Sequence, residues 1–354
     1  MDNKINIIYL LPVTKKPVGG AKLIYQHSEI INKIKFNQIS SQILNIKKSK
    51  TSKILNSFKK KLNLLDKNKY GWNYDDLTAD KSFIPSKIWI NNKISKKKDM
   101  NFNANNDFII IPEILAHLAD DFFIKKKIKY AIFAMGAYAL NSHSNYEKIK
   151  KSYLNAEFIL TISNDTNSCL NYIFPDLKKK IFKLVLSIDQ KKFKVKKKKN
   201  LITYMPRKLP SDSHILNFFL QQILPNNWEI MSLNNLDEKK LLHSLSISKI
   251  FLSFSDLEGF GLPPLEAALA GNKVIGYTGE GGKEYWKKPL FDEVPKGNIL
   301  EFSKRVLKFV KKNDTKWHAR INKHRKKLFK LYSKKNETAL IKRMLKKVSF
   351  SFSK

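Results

Sequence analysis

Residues Ser255 to Gly282 read SDLEGFGLPPLEAALAGNKVIGYTGEGG and hold seven of the chain's twelve glycines. Lys273 is their only basic residue, in a chain with 68 lysines and arginines. The apolar run that enters the stretch, KIFLSFS from Lys249, fits a strand buried on both faces. PLEAALA, from Pro264, fits a helix with proline in its first turn, where the missing N–H costs nothing. Between them, Gly259 and Gly261 permit positive φ and leave the backbone bare. A helix entered through such a turn offers unpaired N–H groups and about half a positive charge to an anion. Glu258 precedes the turn, and Glu266 follows eight positions later, in the expected first helical turn.

The same rhythm extends outward. INIIYLL (from Ile5), FIIIP (from Phe108), YAIFA (from Tyr130), EFILTIS (from Glu157) and IFKLVLS (from Ile181) are short apolar runs separated by amphipathic stretches such as AKLIYQHSEIINKI. KKFKVKKKKN, Lys191 to Asn200, interrupts the pattern as a solvated charge run suited to a hinge. It resumes with LITYM (from Leu201), WEIMSL (from Trp228), KIFLSFS and KVIGYT (from Lys273). Strand and helix alternating twice over predict an α/β protein of two doubly wound, Rossmann-like parallel-sheet domains facing a cleft. The expected limits are 1–190, a charged linker at 191–200, 201–335, and a basic helix at 336–354 that can pack back on the first domain. Lysine- and asparagine-rich insertions near Lys47–Tyr70 and Ile90–Asn106 are expected as surface loops.

Composition narrows the function. Of 354 residues, 42% are hydrophobic, which fits a folded chain of two ordinary domains. A single cysteine, Cys169, excludes an internal disulfide and a multi-cysteine zinc cluster, and fits a reducing cytoplasm. No apolar run reaches the ~18 residues of a membrane-spanning helix. The net charge of +38 raises nucleic acid as a partner. Arginine, the better residue for bidentate phosphate and guanine recognition, occurs only at 207, 305, 320, 325 and 343. The lysine, isoleucine and asparagine excess instead matches codon bias. Exposed lysines would also favour peripheral contact with an anionic membrane, at ~1 kcal/mol each close to its surface. The histidines lack metal-ligand spacing. Asp120 and Asp121 adjoin in a helical pattern and fit surface charges, so neither metal nor cofactor is expected.

Carboxylates accept hydrogen bonds from vicinal hydroxyls, so an anion site between Glu258 and Glu266 suits a nucleotide-sugar. The blander alternative is that Glu266 caps its own helix while Glu258 is solvated. EGFGLPPLE resembles the Glu-x7-Glu signature of retaining glycosyltransferases of the GT-B fold, in particular family 4. GNKVIGYTGEGGKEY is similar to the segment that follows it there, and LPVTKKPVGGAKLIYQHSEII to the family's first strand, glycine loop and first helix. FIIIPE and AEFILTISN resemble inner strands of the first domain, and YMPRK the opening of the second.

The resemblance implies an acceptor-side first domain and a donor-binding second one. Glu266 would bind the ribose hydroxyls and Glu258 those of the transferred sugar, with the backbone of Gly259, Phe260, Gly261 and Leu262 facing the donor. Arg207 and Lys208 would neutralise the diphosphate as charge develops on it. In the family this pair is often several residues apart, whereas here the two adjoin. Gly19 and Gly20 would close over the ligands, and Gly281 and Gly282 would form a further donor loop; plain turns explain both pairs as well. His27 fits a buried imidazole on an apolar helix face, with a chemical role as the alternative. The family's histidine-bearing region is FAMGAYALN here, which has none, though His143 lies just beyond. The implied reaction joins a nucleotide-sugar to a glycan or lipid-linked acceptor in surface polysaccharide synthesis, by front-face attack with retention. The rivals are a nucleotide-sugar epimerase or phosphorylase on the same fold and a charge-driven nucleic-acid-binding protein. For the last, KYGWNY from Lys69 is the best stacking candidate.

Overall fold

The computed structural model describes residues 4–13, 19–48, 77–80, 95–142, 145–312 and 316–353. The chain forms two compact units: Met1–Val185 with Glu337–Lys354, and Leu186–Asn336.

In the first unit, seven strands among the described residues make one sheet in the order β3-β2-β1-β4-β5-β6-β7. They are β1 (Asn6–Pro12), β2 (Ser40–Lys48), β3 (Leu77–Ala79), β4 (Asp107–Pro112), β5 (Lys129–Ala134), β6 (Ile159–Thr161) and β7 (Ile181–Lys183). Every pairing is parallel except β2 with β3 at the edge. All six residues of β4 are buried, as expected of a strand covered on both faces. Helices α1 (Gly19–Ile34), α2 (Tyr146–Asn155) and α3 (Asn164–Ile173) belong to this unit.

Strand β2 escapes the apolar pattern because Ser41 and Asn45, both buried, break it. Asn32 of α1 ties the helix to the backbone of this strand, accepting from the Ser41 N–H at 2.7 Å and donating to its carbonyl at 3.0 Å. Lys47 and Lys48, expected in the first insertion, end β2; residues 49–70 lie outside the described residues, as do 69–74 with their aromatic stretch, 90–94, and His143.

The basic tail forms two helices, α8 (Trp317–Leu331) and α9 (Lys334–Phe352), the second matching the helix expected at 336–354. Most of α9 belongs to the first unit. There Glu337 is fully buried 3.5 Å from the fully buried His27 of α1, whose ring stacks on Phe133 at 5.2 Å. Beyond β4, burial pushes the Glu113 carboxyl up to about 7, against backbone N–H donors at Met135 and Gly136 that favour its charged form.

In the second unit, β8 (Lys199–Tyr204), β9 (Glu229–Ser232), β10 (Ser248–Glu258), β11 (Lys273–Glu280) and β12 (Phe291–Glu293) form a parallel sheet in the order β12-β11-β10-β8-β9. Its remaining helices are α4 (Pro210–Ile223), α5 (Glu238–Ile247), α6 (Leu262–Leu269) and α7 (Ile299–Lys312). Leu216, Leu220, Ile250, Leu252, Ile275, Phe302 and Val306 pack in one core. The lysine run 191–200 lies inside this unit, with β8 already begun at Lys199 and Phe193 buried.

The topology selects a place for a ligand. From β8 the chain proceeds to β9 on one side, and from β10 to β11 on the other. Where strand order reverses, the turns at the carboxyl ends diverge and leave a crevice. Lys208 follows β8 and Glu258 ends β10, so both stand at that reversal.

Candidate functional site

Strand β10 pairs regularly with β11 as far as Ser255 and Thr278; the ladder then shifts, and Glu258 lies opposite Glu280. Leu257, exposed with φ +40°, absorbs the change. Gly261 follows at φ +74° as the N-cap of α6, a left-handed position that suits glycine. Its missing Cβ matters as well, because that atom would lie 3.1 Å from the Tyr285 hydroxyl oxygen.

Pro263 and Pro264 occupy the second and third helical positions and carry no N–H. Backbone donors at this bend are therefore those of Gly259, Phe260, Gly261 and Leu262. The helix begins at Leu262, so Glu266 stands in its second turn and not, as expected, in its first. It is partly exposed. The Glu258 side chain is 21% exposed, with its Oε1 3.7 Å from Lys208 Nζ. A half-exposed pair of this kind contributes only about 0–1 kcal/mol to stability. Its significance lies in setting a cation beside a carboxylate at the strand reversal. Arg207 is exposed nearby in sequence.

The glycines after β11 have a direct structural reason. Gly281 donates its N–H to the Glu258 carbonyl at 3.1 Å, and a Cβ there would come within 2.2 Å of the Gly259 carbonyl oxygen. At Gly282 a Cβ would meet the Thr278 carbonyl oxygen at 2.5 Å. The two glycine turns thus pack backbone against backbone, a separation no side chain permits. Gly19 and Gly20, in the first unit, are the first residues of α1, and a Cβ on Gly20 would lie 3.1 Å from Met135 Sδ.

Phe260 does not offer its side chain to solvent. It is buried, 5.3 Å from the Tyr285 ring and 5.4 Å from that of Tyr332. The Tyr285 hydroxyl donates to the Gly261 carbonyl, and burial pushes its pKa far above the usual tyrosine value. Sequence reasoning missed both tyrosines, because no local signal links position 332 to position 260. Beside the bend lies a cavity of about 200 Å³, lined among others by Ser255, Asp256, Thr278, Gly279, Lys283 and Lys296.

The far end of α6 is covered by donors from distant segments. Arg325 gives Nε and Nη2 to the Leu269 carbonyl at 2.9 and 2.7 Å. Lys198 Nζ bonds the Ala270 carbonyl at 2.8 Å and that of Leu245 at 3.1 Å. Trp317 Nε1 reaches the Gly271 carbonyl at 3.1 Å, and Asn272 Nδ2 the Ala267 carbonyl at 2.9 Å. Lys198, expected as part of a solvated run, is largely buried; desolvation brings its ammonium down to about 7, with Arg325 adding repulsion.

Within the second unit, then, Lys208 and Glu258 are brought together, and Glu258, Gly259 and Gly281 form one backbone contact. Bare amides, a carboxylate and a lysine at one strand reversal, with Glu266 in the second turn of the helix that follows, can hold an anionic ligand that also presents hydroxyls.

No protein-family model matches the chain, and no curated protein sequence matches it. Solved structures do. A variant of S. aureus TarM in complex with fondaparinux, alpha-GlcNAc-glycerol and UDP is similar at a TM-score of 0.61 and 10% identity, covering 99% of this chain and 100% of that one. Anabaena HepE in complex with UDP and glucose gives 0.62 at 10% identity, over 98% and 100% of the two chains. A Rickettsia africae glycosyltransferase gives 0.59 at 13% identity, over 99% of each. At such identities the likeness establishes the fold, which is GT-B.

Proposed function

We propose that this chain is a glycosyltransferase that moves a sugar from a nucleotide-diphosphate donor to a glycan or lipid-linked acceptor, with retention, in surface polysaccharide synthesis. The observation that carries the reading is the Lys208–Glu258 pair at the β8/β10 reversal, beside the glycine bend that opens α6. The bound UDP and glucose of HepE and the UDP of TarM, on the same fold, support a nucleotide-sugar as the ligand.

In this reading Glu266 accepts from the ribose hydroxyls and Glu258 from those of the sugar. Lys208, with Arg207, meets the diphosphate, where cations gain value as negative charge develops and water is excluded. Gly259 to Leu262 present their amides to the donor, while Gly281 and Gly282 let the second turn close against the first. Gly19 and Gly20 belong to the loop of the first domain that closes over donor and acceptor. The acceptor hydroxyl attacks from the face the diphosphate leaves, and a departing phosphate oxygen takes its proton. Positioning and charge stabilisation are the protein's share.

No helix among the described residues is long and apolar enough to cross a membrane. The reading extends to a cytoplasmic enzyme whose lysine excess lets it visit an anionic membrane surface, where a lipid-linked acceptor would be met.

The test begins with a thermal-shift screen of nucleotide diphosphates and their sugars. With the stabilising donor identified, Glu266→Ala should weaken its binding about 10- to 100-fold, the scale of a lost charged hydrogen bond. Unchanged affinity and turnover in that variant would reject the assignment. Product formed from donor alone, without acceptor, would favour an epimerase.

A further inference from the structure

Between Lys208 and Lys239 the chain runs thirty residues, Leu209 to Glu238, without a lysine or arginine. In a protein with 68 basic residues in 354, that gap is the longest. It comprises α4, the connection to β9, β9 itself and the start of α5. All but Ser213, Leu216, Leu220 and Leu233 keep some surface.

The same stretch concentrates exposed apolar side chains. Thirteen large ones are exposed among the described residues, and six lie here: Ile215, Phe218, Phe219, Ile223, Met231 and Leu236. Phe218 alone is 60% exposed. The core takes Leu216 and Leu220 from α4, leaving Ile215, Phe218, Phe219 and Ile223 exposed. Strand β9 is the edge of its sheet, with β8 as its one partner among the described residues.

Of its four carboxylates, Glu229 of β9 is exposed and the other three are engaged within the unit. Asp212 accepts from the Tyr277 hydroxyl at 2.9 Å, Asp237 caps α5 through the Lys240 N–H at 2.8 Å, and Glu238 pairs with Lys192 at 2.7 Å. The segment is therefore apolar and has no cation of its own on a molecule of charge +38; its formal charge is −4, offset in part by Lys192 and Lys240.

We propose that this face, α4 with the edge strand β9, is where a second copy of the chain docks. Two molecules of charge +38 repel each other over any lysine-bearing surface, and salt screens that repulsion only beyond about 8–10 Å. A two-fold contact buries the same patch on both partners, so a lysine-free patch is the one that lets both approach. Interface cores are depleted in lysine and enriched in phenylalanine and methionine, the composition found here. A standard interface takes about 20–30 residues from each side, the scale of this surface. An anionic bilayer is a poorer occupant, because the patch lacks the cations that would hold it there. The proposal is independent of the transferase reading.

Sedimentation of the full chain over a range of concentrations tests it, with Phe218→Lys and Ile223→Lys as variants. A dimer is expected that tightens with added salt, and each variant should weaken it about thirtyfold or more. Hydrogen exchange on the unaltered chain, compared at low and high concentration, should show protection within 209–238 and needs no variant to fold. A chain that stays monomeric throughout overturns the proposal. So does a dimer indifferent to both substitutions, or concentration-dependent protection elsewhere. Binding to neutral phosphatidylcholine vesicles that Phe218→Lys abolishes would also overturn it, marking the face as lipid-binding.

Discussion

The two ends of α6 are held in opposite ways. At its amino end, the N-cap Gly261 makes no side-chain hydrogen bond, two of the first three positions are proline, and Glu258 and Gly259 keep surface. At its carboxyl end, Arg325, Lys198, Trp317 and Asn272 cover the last carbonyls one by one. An eight-residue helix is too short to persist by its own hydrogen bonds. Orphan carbonyls in a buried helix end must find donors, whereas an accessible helix start can leave its amides for a ligand. Anchoring one end in the protein is what allows the other to stay open, with Glu266 fixed between them.

The contrast is open to attack at each end. Gly281→Ala should have the largest effect, because its Cβ would overlap the Gly259 carbonyl and force the two turns apart. A loss of about 3 kcal/mol or more is expected, together with loss of donor binding, read by thermal melting and donor titration. A variant that melts normally and binds normally would show that the turns need not touch.

Arg325→Met acts at the other end. It strips donors from the Leu269 and Phe193 carbonyls, which should cost about 1–3 kcal/mol. Melting should fall more than donor affinity does. The reverse pattern, weak binding at an unchanged melting temperature, would break the division between an anchored and a ligand-facing end.

The smallest effect at neutral pH is expected of Lys198→Met. The Lys198 ammonium titrates at about 7 when folded and near the usual 10.4 when unfolded. Between those values the unfolded chain holds a proton that the folded chain has released, so stability from this group rises with pH across that window. The neutral amine still donates to both carbonyls. Lys198→Met should flatten the rise, leaving the part due to Lys273, which burial lowers to about 8. Identical urea midpoints against pH in both proteins would remove Lys198 from the clamp.

Much of this was legible in the chain. Strands β8, β10 and β11 announce themselves, because a strand covered on both faces is written as an apolar run. The bend at Glu258–Gly261 was equally plain, since glycines and prolines act on their own backbone. Strand β2 was hidden because its buried serine and asparagine interrupt the apolar run, and its tie to α1 runs from Asn32 to the Ser41 backbone, a partner no local pattern names. Lys198 sat unnoticed in a run of identical residues, and only the fold decides which of those lysines meets two helix ends.

Periodicity and backbone chemistry are local, so the amino-acid order alone determined two strand-helix sheets and the glycine bend between Glu258 and Glu266. Burial and hydrogen bonding between distant segments are not local. Only the tertiary structure could decide that Lys208 meets Glu258, that Gly281 must be bare because Gly259 lies against it, and that Tyr285 and Tyr332 support Phe260 from below. Each of those outcomes depends on which chain segments the packed core brings within a few ångströms, a matter of three-dimensional neighbours that sequence spacing does not record.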